Sequence, residues 1–159
     1  MKIGDLTYFI YNTQFGQVTI GSNSEQITQL HLGVKELSGQ FKATKITNEC
    51  STQLLQYLSG RRKNFTLPIH LQGSEFEKKV WLGLMQVEYG KTITPKQLAE
   101  AINLKNSYRN IGKAVKNNKL EILIPTHRLV LKSGFEKPTL KAKQDSALRH
   151  LENKFITQN

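Results

Sequence analysis

A chain of 159 residues with 38% hydrophobic side chains is long enough for one good core or for two small ones that share a boundary. No apolar run approaches the ~20 residues of a membrane span, and the opening Met1-Lys2-Ile3-Gly4-Asp5 lacks the apolar stretch of a secretion signal; the expectation is a soluble, cytoplasmic monomer with no membrane partner. The single cysteine, Cys50, excludes an internal disulfide and a multi-cysteine zinc site, while a net charge of +11 favours nucleic acid and equally suits solubility or an acidic surface.

Three short strands are expected first, at Tyr8–Tyr11, Val18–Ile20 and Ile27–Leu32, forming a small antiparallel meander. A helix over about 49–58 follows, with Leu54, Leu55 and Leu58 inward and Gly60 past its end. Phe65 to Gln72 reads as a linker. Ser74-Glu75-Phe76-Glu77 has the capping-box pattern, so a helix starts there, with Phe76, Val80, Trp81, Leu84 and Met85 on its core face and Gly90 at its end. Thr94-Pro95-Lys96-Gln97 supplies an N-cap, a proline at the first helical position and a second capping box, opening a short helix over about 95–102.

A third helix is expected over about 107–117, after the turn Asn103-Leu104-Lys105-Asn106, which makes a helix-turn-helix pattern. Tyr108, Ile111 and Val115 recur on its buried face, and Arg109, Lys113 and Lys116 on a basic one. Such spacing describes any amphipathic surface helix as well as a DNA-reading one. The fold class is α+β: an N-terminal domain over 1–72, with a three-stranded sheet and a helix, and a mostly helical domain over 73–159. The first carries a net +3 and the second a net +8, so a polyanion partner belongs to the second.

Glu121-Ile122-Leu123-Ile124 reads as a buried strand running into Pro125-Thr126-His127-Arg128, then Leu129-Val130-Leu131 and a turn at Lys132-Ser133-Gly134. This series resembles the signature of the alkylguanine-DNA alkyltransferases, a strand, Pro-Cys-His-Arg, a short hydrophobic run and a Gly turn, with threonine at the cysteine's position. The resemblance covers nearly the whole chain: Gly73 to Phe76 with Val80-Trp81, Tyr89-Gly90, Leu98-Ala99, Arg109, Gly112, Asn118, and Ala147-Leu148 through Leu151-Glu152 all find counterparts, as do Gln53-Leu54, Tyr57, Gly60 and Phe65.

The resemblance implies a helix-turn-helix in the minor groove of double-stranded DNA, with the lesion base flipped out and Arg109 filling the gap. Thr94, Lys96, Ser107, Tyr108, Arg109, Gly112, Lys113, Lys116 and Arg128 are the expected DNA-contacting residues. It also implies that Thr126 stands where the family's cysteine takes the alkyl group, with His127, Asn118 and Glu152 as the retained framework. An alcohol is no match for a thiolate near neutral pH, so the expectation is a DNA-binding protein without catalytic residues, metal or cofactor, sensing alkylated guanine for downstream repair proteins. Two alternatives stand beside it: residual methyl transfer to Thr126 or Cys50, and a regulatory module on undamaged DNA or on a protein.

Two departures touch the base pocket. Pro95 occupies the position of a tyrosine that helps rotate the base, and Lys137-Pro138-Thr139-Leu140-Lys141 replaces a Tyr-Ser-Gly-Gly-like loop. On the recognition helix, Tyr108 and Lys113 replace small residues.

Overall fold

The computed structural model describes residues 5–131 and 139–157, which form two compact units. The first comprises residues 1–72 with 119–121, and the second 73–118 with 122–159. The architecture is α+β.

In the first unit, β1 (Thr7–Thr13), β2 (Gly16–Ser22) and β3 (Ile27–Leu32) form the expected antiparallel meander. A fourth strand, β4 (Gln40–Phe41), pairs parallel with β1, giving the order β3-β2-β1-β4. Two residues are too few to show a period of two, which is why the sequence carries no sign of β4. Helix α1 (Lys45–Leu58) starts four residues earlier than expected, because Thr44 and Thr47 form a capping box of two threonines. Its Cys50, Leu54, Tyr57 and Leu58 enter a core with Val18, Ile20, Ile27 and Leu30.

The stretch expected to be a linker is held along the sheet edge: the Ile27 N–H donates to the Pro68 carbonyl at 2.8 Å and the His70 N–H to the Ile27 carbonyl at 2.9 Å. Residues 119–121 complete this edge, with the Leu30 N–H donating to the Lys119 carbonyl and the Glu121 N–H to the Leu30 carbonyl, at 2.8 and 3.0 Å.

In the second unit, α2 (Glu75–Met85) has the expected capping box at Ser74 and Glu77. Val80, Trp81 and Leu84 are buried, and the Trp81 indole N–H donates to the Ala114 carbonyl at 3.0 Å. Met85, expected in the core, is exposed: the helix ends there, and the apolar stripe turns outward with its last residue. Gly90 therefore does not end the helix; it sits at φ +79 in the turn beyond, where a side chain would run into Ile156. Helix α3 (Pro95–Ala101) is capped by Thr94, and α4 (Tyr108–Lys116) follows a single 3₁₀ turn at Lys105–Ser107.

The α4 core face is made by Ile111 and Ala114, while Tyr108 is exposed, contrary to expectation. Spacing alone placed Tyr108 with Ile111, but it is the first residue of α4, whose buried residues are Ile111 and Ala114. The expected strand at 121–124 is absent. Ile122 has φ +72, a conformation that breaks an extended run and is unusual for a β-branched residue, so the segment turns before a 3₁₀ turn at Thr126–Arg128. Helix α5 (Leu140–Phe155) begins within the supposed 137–141 loop: Thr139 caps it, and Leu140 and Lys141 are helical. The turn at 132–134 and residues 137–138 lie outside the described residues.

Candidate functional site

The second unit brings most of the sequence-selected residues into two places. One is a buried polar cluster around the 3₁₀ turn, and the other is the exposed side of α3 and α4.

The cluster is built on Glu152, near the C-terminal end of α5. Its carboxylate lies 2.6 Å from His127 Nε2 through Oε2 and accepts from Arg128 Nε at Oε1 and Arg128 Nη2 at Oε2, both at 3.0 Å. Oε1 also accepts from the Gly90 N–H at 3.0 Å. Arg128 Nη1 donates to the Val87 carbonyl at 2.7 Å, and the guanidinium lies 5.8 Å from the Tyr89 ring centre. Arg149, one turn before Glu152 on α5, donates from Nη1 to the His127 carbonyl at 3.0 Å.

Burial pushes the Glu152 carboxyl up, but hydrogen bonds from His127 and Arg128 and the Arg128 charge outweigh it and hold the group at about 2. Burial lowers the His127 pKa, against the pull of Glu152, so the imidazole is neutral near neutral pH. In that state its Nε2–H donates to an ionised carboxylate whose charge is balanced by Arg128.

Arg128 was expected among the DNA contacts. It is instead a buried structural cation, because the two guanidinium nitrogens that meet Glu152 and the one that meets Val87 are directed inward. Arg149, Tyr89 and the Val87 carbonyl belong to the same cluster and were not named as site residues from the sequence, where Tyr89 enters only through the resemblance. Arg149 left a trace there, a cation three residues before a glutamate whose burial the sequence does not reveal.

Thr126 is 3% exposed, and its hydroxyl accepts from Asn118 Nδ2 at 3.3 Å. The same amide nitrogen donates to the Ile124 carbonyl at 3.2 Å, so Asn118 ties the turn before Thr126 to the residue itself. Asn118 is thus bonded to Thr126, and the next residue, His127, to Glu152. Cys50 is absent from this group: it is buried in α1 of the first unit, and burial, with Glu49 nearby, pushes its thiol up to about 12.

On α3 and α4, Lys96, Arg109, Lys113 and Lys116 are exposed. Thr94 caps α3, accepting from the Gln97 N–H at 3.2 Å, and Ser107 is half-buried before α4. Arg109 Nε donates to the Tyr108 hydroxyl at 3.3 Å. Gly112 lies in mid-helix on the exposed side, and a side chain there would meet nothing within 4 Å. A helical glycine costs about 0.5–1 kcal/mol relative to alanine, and no contact within this chain requires it.

The fold matches that of a Mycobacterium tuberculosis OGT crystallised in complex with DNA, with a TM-score of 0.85 and 24% identity over 94% of each chain. Among curated relatives, the constitutive methylated-DNA–protein-cysteine methyltransferase of Bacillus subtilis is 31% identical over 135 residues, 80% of this chain and 82% of that one. The methylated-DNA–protein-cysteine methyltransferase of Methanosarcina barkeri is 30% identical over 80% of this chain and 84% of its own. Residues 6–71 match the ribonuclease-like domain of 6-O-methylguanine DNA methyltransferase, and residues 75–154 match its DNA binding domain. The chain belongs to the 6-O-methylguanine DNA methyltransferase family.

Proposed function

We propose that this protein is a non-catalytic member of its family, which binds double-stranded DNA through residues 94–117 and accepts no alkyl group. The observation that carries the reading is Thr126. The relatives' names place the methyl group on a protein cysteine, and the residue at the motif's cysteine position here, next in the chain to His127, is a threonine. Transfer to sulfur needs a thiolate; a threonine hydroxyl holds its proton far too tightly to be ionised near neutral pH. Cys50 is no substitute, since its thiol is buried and stays protonated.

DNA binding is supported by the basic exposed side of α3 and α4 and by Gly112, whose bare backbone allows close approach of a partner. Arg109, at the exposed start of α4, is the cation placed to fill the space of a base rotated out of the stack. In this role the protein holds altered guanines for downstream repair proteins.

Fluorescence anisotropy with a labelled duplex across a salt series tests the reading. The expected result is salt-sensitive binding whose log–log slope falls by about 1 for Lys113→Ala and for Lys116→Ala, and a marked loss of affinity for Arg109→Ala. An affinity unchanged in all three variants would overturn the assignment of this face.

A further inference from the structure

We propose that Tyr108 and Arg109 act together as a two-side-chain wedge, so that the protein prefers DNA holding an unstacked base, alkylated or not, over a fully paired duplex. The inference rests on the DNA-binding reading above and names the kind of DNA that reading leaves open.

Tyr108 is a large aromatic residue 39% exposed at the first position of α4. The core face of that helix is supplied by Ile111 and Ala114, and Tyr108 is not among its buried residues. Neighbouring residues on a helix ordinarily diverge. Here they meet: Arg109 Nε donates to the Tyr108 hydroxyl at 3.3 Å, and the guanidinium carbon lies 5.7 Å from the ring centre. The result is a pair of planar groups, one aromatic and one cationic, on the exposed side that carries Lys96 and Lys113.

Aromatic and guanidinium planes stack on the faces of unpaired bases, and because every base has such a face the contact is tolerant of sequence. Entering an intact duplex, the same wedge must first unstack a base step. DNA in which a base is already unstacked spares that cost, and the preference follows.

The full chain is titrated by anisotropy against three duplexes: fully paired, the same with one extra unpaired base, and the same with O6-methylguanine in a normal pair. The unpaired-base duplex should bind about tenfold more tightly than the paired one, with a smaller gain for the methylated one. Tyr108→Ala should erase that preference, weakening the unpaired-base duplex more than the paired one, and Tyr108→Phe should keep it, since stacking needs the ring and not the hydroxyl. With 2-aminopurine as the extra base, wild type and Tyr108→Phe should quench its fluorescence and Tyr108→Ala should not; circular dichroism checks that the variants are folded. Equal affinity for paired and unpaired-base DNA, a preference for the methylated duplex alone, or equal weakening of all three by Tyr108→Ala would overturn the inference and leave DNA binding standing. Absence of DNA affinity even at low salt would overturn both.

Discussion

Glu152 and Arg128 are each buried ions made tolerable by the other, with His127, Gly90 and Val87 completing their hydrogen bonds. Removing one partner of such a pair leaves an uncompensated charge, so Arg128→Met or Glu152→Gln should cost about 3–5 kcal/mol in chemical denaturation. The pair also fixes the response to acid. The folded pKa of Glu152 lies near 2, below its ordinary 4.5, so its contribution of about 3 kcal/mol is present above pH ~4.5 and lost as pH falls toward 2. His127 is held below its ordinary 6.5; the unfolded chain therefore binds its proton first, and stability begins to fall below pH ~6.5. Melting temperature against pH should decline in these two stages, and His127→Asn should remove the upper one. Thr126→Cys would supply a thiol next in the chain to His127, but Pro95 opens α3 at the position where the resemblance implies a base-rotating tyrosine. Incubation of that variant with O6-methylguanine DNA should yield little methylated protein.

Among the elements, α4 carries the clearest trade between stability and function. Gly112→Ala should raise stability by about 0.5–1 kcal/mol, seen as a higher melting temperature, because the helix gains propensity and no neighbour is crowded. The same change should weaken duplex binding. The starts of α2 and α3 could be read from sequence because Ser74–Glu77 and Thr94–Gln97 are local signals complete within four residues. The start of α1 escaped because its reciprocal cap uses Thr47 in place of a glutamate or glutamine. Residues 121–124 misled for a different reason: a buried apolar run has no period of its own, and only the φ of Ile122 shows that it turns. Tyr108 shows the limit of periodicity, which assigns a face but not whether the neighbouring element reaches far enough to cover it.

For the whole molecule, residue types around the acceptor position were legible from sequence, while their connections were not. Thr126, His127, Asn118 and Glu152 could be named in advance from the resemblance, yet the inward turn of Arg128 depends on a carboxylate 24 residues away. A buried arginine and a phosphate-seeking one look identical in sequence. The joining of residues 119–121 to the first unit is likewise a long-range pairing with β3 that no local pattern announces. The proposed function requires that the protein hold DNA without taking an alkyl group from it. Native mass spectrometry of the full chain mixed with a duplex containing O6-methylguanine tests both halves at once. The predicted spectrum shows a protein–DNA complex in which the protein has its unmodified mass and the guanine keeps its methyl group. Protein heavier by one methyl group, with the guanine restored, would contradict the account.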